Sequence, residues 1–308
     1  MVSHAPAVRV AGSRISRIGA YVALTKPRII ELLLVTTLPT MVVAQRGLPR
    51  FGLIAATLVG GSLAAGGANA VNMYVDRDID RVMHRTQNRP LVTGAVTPTA
   101  ALTFACALEA AAFIELWRLV NLLSAVLALS ATAFYVGVYT LWLKRRSSQN
   151  IVVGGAAGAV PVLVGWAAVT GSLSWPPIVL FAAIFLWTPP HFWALAIRYR
   201  DDYEAAHIPM LPVVASPTRI GRNVFCYTVA LVASTIVFAP VAHMGPTYVV
   251  VATVTGAAYL GLAARLWVLA RRSAPIEGEA MRLFGYSITY LTVLFATMAL
   301  DVFVRRIH

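Results

Sequence analysis

The sequence predicts an all-α, polytopic membrane protein with nine transmembrane helices in one domain. Three observations carry that prediction. Hydrophobic residues make up 59% of the 308 positions and charged residues only 12%, about half the charged share of a soluble domain, and the mean hydropathy is +0.75. Apolar runs near the ~20 residues needed to cross a bilayer recur from one end to the other. Most of the charge falls in the breaks between those runs.

Residues 1–28 form a basic tail with Arg9, Arg14, Arg17, Lys26 and Arg28 and no acid. An Arg-rich, acid-poor leader also suits a transit peptide, which would place the protein in the mitochondrial inner membrane. The tail's shortness favours a cytoplasmic extension on a bacterial plasma-membrane protein. Spans follow at about 29–45, 51–73, 99–117, 120–143, 151–170, 177–197, 223–242, 247–269 and 283–304, and residues 305–308 form a short C-terminal tail. The breaks contain Pro, Gly, Asn or charge, as in QRGLPR, KRRSSQN, TGSLSWPP and RRSAPIEGE, the residues that end helices and form turns.

Twenty of the 25 lysines and arginines lie in the tail or in the breaks after the second, fourth, sixth and eighth spans, with Arg265 near the end of the eighth span included. Cytoplasmic loops carry the excess of Lys and Arg, so the N-terminus is expected in the cytoplasm and the C-terminus outside. The same sorting explains the net charge of +13 without nucleic acid, leaving membrane lipid as its surroundings. It also puts two acidic stretches, VDRDIDR from Val75 and RYRDDYE from Arg198, on one side, four spans apart. Cys106 and Cys226 sit inside apolar runs and read as buried bystanders, with no disulfide or metal motif. Glu31 reads as a local partner of Arg28, and Asp301 and His243 as solvated groups near the outer face. Gly154 and Gly158, spaced i, i+4, and the small-residue run GGSLAAGGANA suit close helix packing.

The stretch NMYVDRDIDRVMHRTQNRPL, Asn72 to Leu91, follows directly on the second apolar run. Asn72, Asp76 and Asp80 are spaced i, i+4, i+8. On a helix they drift only about 40° per step and climb about 6 Å, so all three share one face. Like charges so placed repel and call for cations. An amide and two carboxylates are hard oxygen ligands suited to Mg²⁺, which keeps part of its water and bridges to phosphate. A second ladder, Arg77, Arg81, Arg85 and Arg89, stands about 100° round the same helix, placed to pair with acids, touch anionic head groups or clamp a phosphate. Asp78 points off the first ladder, to bind metal from a frayed end or to offset an arginine. Acids within membrane helices are rare and mark function.

This stretch resembles the N-x-x-x-D-x-x-x-D motif of the UbiA-type intramembrane prenyltransferases, and its longer form resembles the branch that farnesylates protohaem IX. LTKPRII before the first span, YTLWLKRRSSQNIVVGGAAGAVP and TPPHFWALAIRYRDDYEAAHIPMLPVV agree with it. The resemblance runs from about residue 22 to 304; the first motif marks the superfamily and the last stretch the haem branch. It implies nine helices around a central cavity, with the aspartate motifs at its cytoplasmic mouth. It also implies a reaction: farnesyl diphosphate, haem B and water give haem O and diphosphate. Haem B is then a substrate and Mg²⁺ the cofactor, and haem-biosynthetic or oxidase-assembly proteins are possible partners. Many members carry D-x-x-x-D as the second motif, whereas here Asp201, Asp202 and Glu204 are followed by alanines, so the second metal site departs from the pattern.

On this resemblance Asn72, Asp76 and Asp80 hold one Mg²⁺ and Asp201 and Asp202 hold or position another. Lys144 contacts the diphosphate, and Arg85, Arg89, Lys26 and Arg28 are candidates for the same clamp. Asp76, Asp80 and Lys144 are the candidate catalytic groups. Tyr74, Tyr135, Tyr139, Phe192 and Trp193 are candidates to line the path of an allylic cation. His191 follows Pro189-Pro190 in the sixth span, where a kink is expected. Helical spacing puts Trp187, His191, Arg198 and Asp202 on one stripe from the interior to the mouth, so Trp187, His191 and Arg198 are candidate haem contacts. A neutral His191 imidazole there suits iron ligation, a hydrogen bond to the porphyrin, or a carbonyl freed by the kink. Two other classes compete. A prenyltransferase with a quinone-precursor acceptor would share the diphosphate site. An ion-coupled transporter would hold its acids near the midplane rather than on one side.

Overall fold

The computed structural model describes residues 16–307, without the side chains of residues 29, 31–34, 306 and 307. Arg9 and Arg14 of the tail, and the Glu31 side chain expected beside Arg28, lie outside the described residues. Among the described residues the regular structure is all helix: α1 Arg17–Thr25, α2 Pro27–Gln45, α3 Phe51–Val75, α4 Ile79–Val82, α5 Pro98–Leu119 and α6 Leu122–Ala133, which runs on as a π segment, Phe134–Leu143. Then come α7 Asn150–Thr170, α8 Trp175–Arg198, α9 Arg200–Ala205, α10 Leu211–Val214, α11 Pro217–Val241, α12 Pro246–Arg271 and α13 Glu277–Ile307. Eight of these, counting α6 and the π segment as one, are long and apolar enough to cross a membrane. With the 19-residue α2 they coincide with the nine expected spans to within a few residues at most ends.

Local chemistry sets those ends. Proline, whose missing N–H costs nothing in a first turn, opens α2, α5, α11 and α12. Side-chain caps at Ser16, Thr97, Asn121 and Ser216 accept backbone N–H groups of the first turns, each worth about 1 kcal/mol. Asn121 also donates from Nδ2 to the Ala167 carbonyl at 2.8 Å, which ties the start of α6 to the end of α7.

Packing closes the helices into a bundle. α3 lies against α5, α7 joins α2 to α8, α11 sits between α8 and α12, and α13 returns to α2 and α8. The main apolar core lies among α7, α8, α11, α12 and α13, around Trp187, Trp193, Phe238, Tyr259 and Phe295. A smaller cluster, Ile79, Met83, Ile151, Ala196, Ile208 and Met210, joins the segment after α3 to the segment after α9. The IPMLPVV stretch therefore packs beneath the first acidic segment.

Several expectations are corrected. Residues 17–25 of the expected tail form α1, whose buried Ala20 and Leu24 pack with Ala70 and Met73 of α3. The α13 helix runs on past residue 304. Cys106 and Cys226 are exposed, because they stand on outward faces of their spans. Asp301 is 1% exposed and accepts the backbone N–H groups of Gly245 at 2.6 Å and Tyr248 at 3.2 Å. It satisfies the start of α12 from inside the bundle. Gly154 and Gly155 make close approaches to Tyr139 and Thr188, but Gly158 meets nothing within 4 Å.

Candidate active site

The i, i+4 relation of Asn72, Asp76 and Asp80 survives, although the helix does not. α3 ends at Val75 and Asp76 has φ −84° and ψ 3°. The Asp76 N–H still donates to the Asn72 carbonyl and the Asp80 N–H to the Asp76 carbonyl, both at 2.9 Å. All three side chains are buried, Asp76 completely. The arginine ladder dissolves instead, because α4 ends at Val82 and Met83 is extended. Arg77 folds back on the Tyr74 ring and carbonyl, Arg81 is exposed and Arg85 lies over Tyr199. Only Arg89 returns to the acids, with Nη1 at 2.8 and 2.7 Å from the two Asp80 oxygens.

Three chain segments bring cations to this group. Lys144, at the end of the π segment, pairs with Asp76 Oδ2. Its N–H donates to Tyr139, five residues back, so the wider π turn sets its register. Within that segment Thr140 Oγ1 donates to the Tyr135 carbonyl at 2.9 Å and accepts from Asn72 Nδ2 at 3.1 Å. Asn72 Nδ2 also donates to Asp76 Oδ2 at 2.8 Å, so its Oδ1 faces Lys26, whose Nζ donates to it at 2.7 Å. Lys26 is a non-glycine residue at φ 53°, a left-handed conformation that costs roughly 1–2 kcal/mol. Asn69 Nδ2 holds the neighbouring Thr25 carbonyl at 3.0 Å and fixes that turn. Desolvation, helped by the nearby Arg89 and Lys144 charges, lowers the Lys26 amine to about 7, while Asp76 and Asp80 oppose the shift.

Asp78 stands apart. It is exposed and pairs with Arg145 through two bonds of 2.7 and 2.6 Å, which hold its carboxyl down at about 2. It offsets an arginine and takes no part in the buried group. The second acidic stretch reaches the first through Tyr199, which lies under Arg85, and through Asp202, which accepts the N–H groups of His84 and Arg85 at 3.2 Å each. Asp201, Arg28 and Arg198 are exposed. Among the described residues no three His, Cys, Asp or Glu side chains converge as a metal cluster. One observation does fit a cation: Asp76 Oδ1 is buried without a hydrogen-bond partner, beside the Asn72 amide. The oxygens of Asn72, Asp76 and Asp80 are a donor set for a hard divalent ion.

Deeper in the bundle the expected stripe on α8 holds for its first two residues. Trp187 and His191 stack at 4.2 Å, but α8 ends at Arg198 and Asp202 follows on α9, so the turn at Tyr199 breaks the line. The helix continues through Pro189 and Pro190. His191 bonds to Ser287 Oγ on α13 at 2.7 Å, not to a carbonyl freed by the prolines. Two carboxylates inside the spans escaped the sequence reading. Glu109 accepts from Thr132 at 3.1 Å and lies against Gly67, and Glu115 lies against Gly60. The absence of Cβ at these glycines is the signal that could have located them.

Residues 33–300 match the UbiA prenyltransferase family. A Protoheme IX farnesyltransferase of Frankia alni is 56% identical over 284 residues, covering 92% of this chain and 98% of that protein. One from a Parafrankia species is 54% identical over 283 residues, covering 92% and 90%. Among solved structures, a digeranylgeranylglyceryl phosphate synthase superposes with a TM-score of 0.76 at 13% identity, covering 93% of this chain and 98% of that one. A UbiA homologue from Archaeoglobus fulgidus bound to GPP and Mg²⁺ superposes with a TM-score of 0.59 at 15% identity, covering 91% and 99%.

Proposed function

This chain belongs to the UbiA prenyltransferase family and within it to the protoheme IX farnesyltransferases, and from that premise we propose that it transfers the farnesyl group of farnesyl diphosphate to a vinyl group of haem B, with addition of water, giving haem O and diphosphate. The observation that carries the site assignment is the meeting of buried Asn72 and Asp76 with half-buried Lys144 and Lys26, with Asp76 Oδ1 left without a partner. A membrane bundle that buries so much charge at one end has a multiply charged ligand to receive there.

The reaction breaks the allylic C1–O bond, and the bonding pair leaves with the diphosphate. The vinyl π electrons form the new bond to C1. Water then adds to the cationic carbon beside the ring and loses a proton to solvent. Groups placed at the phosphate oxygens before the bond breaks lower the barrier. Mg²⁺ held by Asn72, Asp76 and Asp80 would neutralise part of the leaving group's charge. Lys144 and Arg89 supply positive charge around the same oxygens, Lys26 joins them when its lowered amine is protonated, and Arg85 and Arg28 stand at the periphery. Asp202 acts through the His84 and Arg85 N–H groups and holds the loop that carries Arg85 and Arg89. Asp201 remains an outer acid available to a second ion. Tyr135 and Tyr139, stacked at 5.4 Å in the segment that carries Lys144, offer π faces to the developing cation and keep water from it.

The haem ring is assigned to the deeper side of the bundle, against Trp187 and His191, with Arg198 at the aqueous end of α8 for a haem carboxylate. The chain is a multi-pass membrane protein. Its cation asymmetry supports a cytoplasmic N-terminus and diphosphate site, and we assign it to a bacterial plasma membrane. Titration of the purified protein with a non-hydrolysable farnesyl diphosphate analogue, with and without Mg²⁺, tests the site. Saturable binding that strengthens with Mg²⁺ supports it. Binding of simple cations without the diphosphate would favour a transporter.

A further inference from the structure

We propose that His191 ligates the iron of the haem substrate through Nε2, and that Ser287 is the positioning residue that holds its imidazole in the tautomer and orientation this requires. The inference deepens the haem-farnesylating reading above and rests on it.

The hydroxyl of Ser287 decides the tautomer. Its Oγ lies 2.6 Å from the Phe284 carbonyl, and a carbonyl oxygen only accepts. The single hydroxyl proton is therefore spent on Phe284. His191 Nδ1, 2.7 Å from the same Oγ, must then be the donor. In a neutral ring that leaves Nε2 unprotonated, on the ring edge away from the Ser287 hydroxyl. Such a nitrogen can ligate a metal or accept a hydrogen bond but cannot donate one, so His191 is not a donor to a haem carboxylate. Among the described residues Nε2 has no hydrogen-bond partner.

The ring is also fixed in space. Trp187 lies at 4.2 Å and 19° to it and Phe284 at 4.6 Å and 26°. Two near-parallel rings so close cannot share one face, so they sandwich the imidazole. Trp187 Nε1 donates to the Ser287 carbonyl at 2.9 Å, so one residue of α13 anchors both aromatic side chains of α8. Phe192 closes edge-on at 5.3 Å. The residue is only 8% exposed. Metal-ligating histidines characteristically donate their other N–H to a fixed acceptor, which sets the tautomer and strengthens the ligand. Here that acceptor comes from a helix 96 residues away. Ligation at the ring centre would leave the vinyl edge free to be turned toward the diphosphate.

The test uses the full-length enzyme in nanodiscs, titrated with haem B and separately with the farnesyl diphosphate analogue. Resonance Raman spectra of the ferrous haem complex should show an iron–histidine stretch in the wild type and none in His191→Ala. His191→Gly should recover ligation with added imidazole. Ser287→Ala should weaken haem binding about tenfold, the low end for loss of such a partner, and shift the stretch. Ser287→Thr, which keeps the hydroxyl, should behave as wild type. Analogue binding should stay within twofold in every variant and so report an intact fold. An unchanged stretch in His191→Ala would overturn the ligation. A Ser287→Ala enzyme with wild-type haem affinity and stretch would overturn the positioning role. Failure of the haem-farnesylating reading would look different: wild-type enzyme that binds haem but yields no haem O.

Discussion

Asp76→Asn keeps the size of the side chain and removes its charge. Asp76 is fully buried and Lys144 is 14% exposed, so the lysine loses the one ion-pair partner it has among the described residues, in an enclosed place. Breaking one side of a buried pair costs about 3–5 kcal/mol. Because Lys144 retains some access to water, the lower end applies to stability, about 3 kcal/mol, and loss of one preorganised charged group at the leaving group costs roughly a hundredfold or more in turnover. The matched control is Asp78→Asn. Its pair with Arg145 has side chains 60% and 39% exposed, and exposed pairs contribute about 0–1 kcal/mol, at most roughly fivefold. Initial rates of haem O formation in membranes, normalised to enzyme by immunoblot, compare the two. Asp76→Asn should lose at least a hundredfold and Asp78→Asn less than fivefold. Equal losses, or an Asp76→Asn enzyme within fivefold of wild type, would refute the argument from burial.

Lys144→Ala should weaken the farnesyl diphosphate analogue by tenfold or more and haem by less than threefold in parallel titrations, and the reverse order would move Lys144 to the haem carboxylates. A cytoplasmic reporter fused after residue 88 or 210 should be active and one fused after 172 or 245 silent; a periplasmic signal at 210 would separate the two acidic segments. Gly154→Ala would set its Cβ 2.4 Å from the Tyr139 ring, and overpacking of that kind costs about 1–3 kcal/mol, so its melting temperature should fall. Gly158→Ala meets nothing within 4 Å and should melt as wild type, and equal shifts would contradict the packing.

The spans were legible because hydropathy and helix-breaking residues record a bilayer crossing locally. The i, i+4 ladder was legible for the same reason: Asn72, Asp76 and Asp80 keep their backbone register even where the helix loosens. The sequence could not show where α4 ends, so Arg85 and Arg89 were placed on a ladder that stops at Val82. α1 was hidden because nine residues of amphipathic helix read as a basic tail. The π segment leaves no periodic trace in ten residues, yet it sets the positions of Thr140 and Lys144. Asp301 was misread for a tertiary reason: it lies near a chain end in sequence, and only the return of α13 to the start of α12 buries it. The His191–Ser287 bond joins residues that nothing in the sequence relates.

The most direct test of the central claim is turnover by the purified chain in membranes, supplied with haem B and farnesyl diphosphate, with products resolved by mass. Haem O and diphosphate should form together, stop when EDTA removes Mg²⁺, and resume when Mg²⁺ is restored. Unchanged haem B under these conditions, or prenylation of a quinone precursor in its place, would contradict the account.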